Sequence, residues 1–282
     1  MQLYTFFLKL WTTCHIEKGR FIYLIREETL KIFGLVVLGL VQGLSEFLPI
    51  SSSGHLLLFG KIFGIEDSIF VSIFLHVATL LSIVVVFRKD IWKMICSPFS
   101  KETMTLCIAT IPTCIIVVLL LPIVKKSFGG EYLYISFLIS AILLFMVSRY
   151  SKRRKGTGFT TKNALIMGVM QGFAVFPGIS RSGATISAGI LSGGDKEECA
   201  KFSFLMSLPI ILLSMVGEIY DVCKGGQTFS VNIVGLILGF IVAFISGLLT
   251  IKFMMKLTKK ANFAWFSVYL CVIAIISKFI MG

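Results

Sequence analysis

The chain has 282 residues, with 27 Lys+Arg against 14 Asp+Glu and a formal net charge of +13. Hydrophobic residues make up 56% and charged residues only 15%, where a soluble domain carries about 25% charged residues. Mean hydropathy is +0.94, so the chain cannot cover a water-facing surface and is expected to be an integral membrane protein. Its basic residues fall in short clusters between apolar runs rather than on one continuous face, which excludes a nucleic-acid binder.

Residues 1–31 carry Lys9, Lys18, Arg20, Arg26 and Lys31 among aromatic side chains, without a clean apolar centre or a small-residue cleavage site. They are expected to form an interfacial extension or to reflect a start-site artefact, not to be a cleaved signal peptide. Residues 32–45 follow as an apolar run of 14 residues. As helix that run reaches about 21 Å against a hydrocarbon core of about 30 Å. Glu46, Pro49 and Ser51-Ser52-Ser53 interrupt it before a second run ends at Phe59. Three full-length runs come next, at 68–87, 104–124 and 132–148. The pattern then restarts: 163–180 is broken by Pro177-Gly178, Arg181 opens a short run to Gly194, and full-length runs occupy 202–217, 225–251 and 261–277. Proline removes a donor and glycine permits positive φ, so each break ends a helix. Broken helices at membrane depth must be buried in protein or line a cavity. Both broken segments, 32–60 and 163–194, are therefore expected to be re-entrant helical hairpins; reading each as a distorted span would give eight crossings instead of six.

The two breaks are copies. A shift of 129 residues lays 42–55 on 171–184, and seven of the fourteen pairs are identical without a gap. Each copy is followed by three spans, an odd number of crossings, so the second half must sit upside down relative to the first. The expected fold is an all-α polytopic membrane protein: six transmembrane helices plus two re-entrant hairpins in an inverted-topology repeat, with repeat 1 at 32–149 and repeat 2 at 150–282. In that topology the segments 88–103, 149–162, 193–201 and 252–260 share one face and hold 16 Lys/Arg, against five on the other face counted from residue 32. The positive-inside rule puts the first face in the cytoplasm and both chain ends outside.

Polar groups inside apolar stretches are costly and mark functional candidates. Here they are Gln42, Glu46, Ser51, Ser52, Ser53 and His55 in the first break, and Gln171, Ser180, Arg181, Ser182 and Thr185 in the second. Any one serine is more simply a helix-packing residue. As a set they favour a phosphate, because each turn runs Ser-x-Ser-Gly into a new helix and offers hydroxyl caps and free N–H groups. Arg181 adds a planar fork suited to phosphate oxygens. Ser52 and His55 lie i,i+3 and Ser51 and His55 i,i+4, so a hydroxyl and an imidazole share one helix face, as nucleophile and base require. The G-x-S-x-G elbow is not met, since Gly178-Ile179-Ser180-Arg181 ends in Ser182. His76 stands mid-span outside both breaks and reads as a packed or water-bonded helix residue. Seven scattered cysteines without a CxxC pattern carry no assigned role. The run Lys152-Arg153-Arg154-Lys155 reads as a topology determinant and headgroup contact, and Pro112 and Pro209 as kinks.

With these residues in view the sequence resembles the undecaprenyl-diphosphate phosphatase (bacitracin-resistance) family of bacterial membrane proteins, from about residue 32 to the C-terminus. The family's acidic motif is met by Gln42 and Glu46, running on through Phe47-Leu48-Pro49 and Ser51-Ser52-Ser53-Gly54-His55. Its Pro-Gly-x-Ser-Arg-Ser-x-x-Thr motif is met by Pro177, Gly178, Ser180, Arg181, Ser182 and Thr185. The resemblance implies hydrolysis of undecaprenyl diphosphate at the outer face of the bacterial plasma membrane, recycling the carrier lipid for cell-wall synthesis with bacitracin resistance as the consequence. It also implies a divalent cation, Mg²⁺ or Ca²⁺. Gln42 replaces the first glutamate of some members, so Glu46 alone is expected to ligate the cation, together with substrate oxygens and water. Catalysis would fall to Ser52, His55, Glu46 and Arg181. Substrate binding would fall to Ser51, Ser53, Ser180, Ser182, Thr185, Gln42 and Gln171. Ser52 as nucleophile with His55 as base, and His55 itself forming a phosphoenzyme, both remain open. The competing class is a transporter or flippase of a phosphorylated lipid, because broken helices in inverted repeats are a transporter architecture. It would need Arg181 and the helix N-termini but not Glu46, the serine trio and His55. The bilayer and a polyprenyl diphosphate are the expected partners, and the oligomeric state stays open, a homodimer included.

Overall fold

A chain this apolar has to satisfy its backbone internally, and helices do so. The computed structural model describes residues 28–65, 68–150, 156, 158–225, 231–260 and 263–281, and among them are eleven helices and no strand. Helices α1 (Glu28–Ser45) and α2 (Ser52–Phe63) flank the first break. They are followed by α3 (Ser68–Val86), α4 (Arg88–Cys96), α5 (Lys101–Ser127) and α6 (Leu133–Tyr150). Helices α7 (Thr161–Phe173) and α8 (Arg181–Leu191) flank the second break, followed by α9 (Lys196–Gly225), α10 (Ile233–Lys260) and α11 (Ala264–Met281). Six helices, α1, α5, α6, α9, α10 and α11, are long and apolar enough to cross a membrane. The α3–α4 pair, bent by 79°, would make a seventh. The protein is an all-helical, multi-pass membrane protein.

Three elements differ from the sequence expectation. Helix α1 reaches back to Glu28, giving 18 residues, or about 27 Å at 1.5 Å per residue. Its first turn is exposed, so the charged residues that truncate the apolar run can stay in water. Asn232 at the start of α10 donates to Glu28 at 2.8 Å and ties that turn down. The basic segment 88–103, expected as a loop, contains α4, whose Ile91 and Met94 pack on the core while Arg88, Lys89 and Lys93 do not. Likewise α10 continues through 252–260, burying Met254 and Thr258 and exposing Lys252, Lys256 and Lys259. Pro112 and Pro209 lie inside α5 and α9, which run on past them. Residues 1–27 and the run 152–155 lie outside the described residues.

The packing comes in two matched sets. Helix α7 lies on α5, where a Cβ at Gly168 would fall on the Ala109 carbonyl and one at Gly172 on Ile116. Helix α1 lies on α10, where a Cβ at Gly39 would fall on the Gly239 carbonyl and one at Gly43 on Ser246. Gly39 and Gly43 are the partners of Gly168 and Gly172 under the 129-residue shift, so the same small-residue pair lets both helices approach closely. Several other contacts pair off too: α2 meets α3 and α11 as α8 meets α9 and α6, α3 meets α10 as α5 meets α9, and α6 and α11 meet each other, whereas the contact of α9 with α10 has no equal between α3 and α5. The four basic segments gather at one end. There Asp195 N–H donates to the Gly158 carbonyl at 3.0 Å. Lys201 pairs with Asp90 at 2.5 Å, and Lys259 with Glu197 at 3.1 Å. Exposed pairs of this kind add about 0–1 kcal/mol each; they locate the segments more than they stabilise them.

Candidate active site

Each break is built from the same parts. In the first, Ser51 caps α2, its hydroxyl accepting from Gly54 N–H at 3.3 Å. In the second, Ser180 caps α8, accepting from Gly183 N–H at 3.0 Å. The breaks touch. A Cβ at Gly54 would lie 2.8 Å from the Gly178 Cα, and one at Gly183 would lie 3.1 Å from the Pro49 Cβ. The Ser182 hydroxyl donates across to the Leu48 carbonyl at 3.1 Å.

Glu46 stands at this junction, 4% exposed. A carboxylate taken out of water costs several kcal/mol unless charge and hydrogen bonds offset it, and Glu46 has both. Its Oε1 accepts from the Arg181 guanidinium. Its Oε2 accepts from the Ser52 hydroxyl at 2.5 Å and from Gln42 Nε2 at 3.1 Å. His76 Nε2 is 3.6 Å away. A second carboxylate in place of Gln42 would repel Glu46, whereas the amide donates to it and to Thr79 at 3.3 Å.

Of the expected catalytic residues, Glu46, Ser52 and Arg181 therefore come together. His55 takes a different position. One ring nitrogen lies 2.7 Å from the Ser51 carbonyl and the other 2.8 Å from the Tyr269 hydroxyl, while the ring stacks on Tyr269 at 5.7 Å. A carbonyl can only accept, so Nδ1 carries a proton and donates back into its own turn. Ser52 opens the helix and turns its hydroxyl to Glu46 instead. The hydroxyl and imidazole share the helix but bond to different partners.

The expected substrate-binding residues make hydrogen bonds within and between the turns. Ser51 and Ser180 are caps, with Ser53 3.4 Å from Ser51 and Ser182 3.4 Å from Ser180. Thr185 donates to the Arg181 carbonyl at 2.8 Å and shares a hydrogen bond with Ser203 at 2.6 Å. Gln171 donates to Thr113 and to the Met206 carbonyl, both at 3.4 Å, supporting its own turn as Gln42 supports the first. His76 is the residue whose placement the sequence does not give. Its Nδ1 is held by the Ser72 carbonyl at 2.7 Å, which turns Nε2 toward Glu46. The local signal was a polar residue inside an apolar run; its partner sits on another helix.

The residues 35–276 match the family described as bacitracin resistance protein BacA. The chain belongs to this family. Among its curated relatives is an undecaprenyl-diphosphatase of Christiangramia forsetii, 39% identical over 259 residues, covering 86% of this chain and 96% of the relative. One of Carboxydothermus hydrogenoformans is 36% identical over 247 residues, covering 86% and 95%. One of Halothermothrix orenii is 36% identical over 262 residues, covering 90% and 99%.

The divalent cation implied by the resemblance meets a restricted donor set. No group of three or more His, Cys, Asp or Glu side chains stands together among the described residues. Glu46 is one carboxylate, and it already faces a guanidinium. Such a site fits an ion whose remaining ligands are phosphate oxygens and water, in the manner of Mg²⁺ held by one or two carboxylates.

Proposed function

We propose that this protein is an undecaprenyl-diphosphate phosphatase, releasing inorganic phosphate and leaving undecaprenyl phosphate for another round of cell-wall precursor transport. The observation that carries the reading is the Ser52 hydroxyl bonded to the buried Glu46 carboxylate with Arg181 on the same group. That is a nucleophile, a base and an anion clamp in one contact set. Ser52 Oγ attacks the terminal phosphorus while its proton passes to Glu46, and the bond from that phosphorus to the bridging oxygen breaks. Arg181 keeps one arm on Glu46 and offers its other N–H groups to the phosphoryl oxygens. Water then cleaves the phosphoserine. His55 is a positioning residue that pins the Ser51 carbonyl, and the serine caps present N–H groups to the diphosphate. A bound divalent cation, with Glu46 as its protein ligand, would supply neutralisation of the phosphate charge.

The matched contacts of the two halves support an inverted repeat with both broken segments entering as re-entrant hairpins. The gathering of the basic segments at one end supports a cytoplasmic face there and a site facing outward, in the bacterial plasma membrane. Two measurements test this. Purified protein should release phosphate from C55 diphosphate and lose that activity with chelator; no release rejects the enzyme. Cysteines placed at 61 and 152, in a background without native cysteines, should label from outside and inside respectively. Labelling from one side rejects the inversion.

A further inference from the structure

Hydrolysis through Ser52 needs a water with a defined place, and neither signature motif supplies one. A cavity with room for about one water lies beneath the Glu46–Arg181 pair, walled also by Ser182 and by Ser203, Phe204 and Ser207 of α9. Ser203 and Ser207, four residues apart on one helix face, are 3% and 4% exposed. Their hydroxyl protons are already committed. Ser207 donates to the Phe204 carbonyl at 2.7 Å. Thr185 gives its own proton to the Arg181 carbonyl, so in the 2.6 Å contact it accepts from Ser203. Ser182 gives its proton to the Leu48 carbonyl. The three hydroxyls therefore turn lone pairs, not protons, toward the cavity, and Glu46 adds a carboxylate. Arg181 is the donor in this lining, and a space sized for one water is too small for a phosphate group, so it suits a water that gives its two protons to the acceptors and accepts from Arg181.

We propose that this cavity holds the hydrolytic water, and that Ser203 and Ser207 position it against Glu46. This rests on the phosphatase reading with Ser52 as nucleophile. In the second step the water oxygen bonds to phosphorus as the Ser52 Oγ–phosphorus bond breaks. The electron pair stays on Ser52 Oγ, which takes back the proton that Glu46 accepted in the first step, and the water's two protons leave with inorganic phosphate.

Ser207→Val fills the cavity from the α9 side and leaves Ser52 and Arg181 unsubstituted. Acid-quenched rapid mixing with undecaprenyl diphosphate, read by mass spectrometry of the Ser52 peptide, should show phosphoserine accumulating. The burst should be intact, kcat lower by about 10²-fold, the order that misplacing a reactant costs, and kcat/KM unchanged, so that KM falls along with kcat. A Ser203→Ala/Ser207→Ala double variant, which adds no bulk, should also accumulate phosphoserine and guards against a packing artefact. Unchanged kcat in both variants overturns the proposal. So does a higher KM with no accumulation, which makes the cavity a substrate pocket, and so does an altered cation requirement, which makes it a cation site. Phosphate release without any phosphoserine in the unsubstituted protein marks failure of the underlying nucleophile assignment and is read separately.

Discussion

The two breaks are one design used twice, and they differ where chemistry is needed. Residues 46–55 and 175–184 share their phenylalanine, isoleucine, two serines and glycine. The shared serines and glycine cap the new helices and let the turns touch. The groups proposed as reactive, with His55 beside them, occupy unshared positions: Glu46 faces Val175 in the alignment, Ser52 faces Arg181, and His55 faces Ala184. The similar turns bring two helix starts into contact, with a carboxylate and a hydroxyl on one and a guanidinium on the other. Ser52 and Arg181, equivalent by the repeat, both open a helix and both reach the same Glu46. A site at the junction of two copies needs only one of each group.

The sharpest way to break the comparison is to remove what only the first copy has. Ser52→Ala and Glu46→Gln should each lower kcat by about 10²–10⁴-fold, the range for losing acid–base assistance. Since the base has nothing to activate once the hydroxyl is gone, the double variant should be no worse than the poorer single. Phosphate release and binding of lipid diphosphate should be followed together, because binding is expected to survive through Arg181. Full turnover in Ser52→Ala would remove the assignment. Next in size is what only the second copy has. Arg181→Lys keeps the charge but loses the planar fork and should lower kcat by about 10²-fold, as removal of one oriented transition-state donor does. Near-normal turnover would make Arg181 a structural partner of Glu46.

Much of this was legible in the chain because it is written locally. Five of the six span-length helices follow from uninterrupted apolar runs, and the breaks from Pro-Gly and serine-rich turns. Helix α1 reads as half of a hairpin instead, and the run at 68–87 bends into α4 rather than standing as a sixth. Glu46, Ser52 and Arg181 stood out as polar groups inside those turns, and the fold joins all three. What the sequence concealed depends on distant contacts. Helix α4 is nine residues long, too short for its periodicity to outweigh its charges. His76 is 30 positions from Glu46 and meets it only because α3 crosses the first break. Ser203 and Ser207 look like ordinary packing serines until α9 is laid against Thr185 and Glu46. The partners of His55 illustrate the limit of spacing arguments. An i,i+3 offset places two side chains on one face, and the carbonyl at i−4 and a tyrosine from α11 then compete for the ring.

Steric differences between the copies should appear in stability. A Cβ at Gly54 would come within 3 Å of both the Phe137 ring and the Gly178 backbone, whereas one at Gly183 would meet Ser180 and Pro49 at 2.9 and 3.1 Å. Gly54→Ala should therefore cost about 1–3 kcal/mol, the range for overpacking, and Gly183→Ala clearly less. Thermal unfolding in detergent would order the two, and equal costs would mean the turns are packed alike.

The smallest effect concerns the caps, where the sequence is identical and the backbone is not. Ser180 has φ −74° and ψ 110°, ordinary extended values, while Ser51 has φ 72° and ψ 101°. Ser51 is the sole non-glycine residue with positive φ among the described residues. Holding an L side chain there costs about 1–3 kcal/mol, and replacing a serine cap by glycine costs only a few tenths. Ser51→Gly trades that small loss for relief of the strained backbone, so it should raise the unfolding midpoint or leave it unchanged. Ser180→Gly has no strain to release and adds chain entropy on unfolding, so its midpoint should fall. The same substitution at equivalent positions should thus move stability in different directions, by about 1–2 kcal/mol between the two variants. If both fall equally, the positive φ at Ser51 carries no cost, and the first turn is as relaxed as its copy. The backbone strain would then have no part in how Ser52 is presented to Glu46.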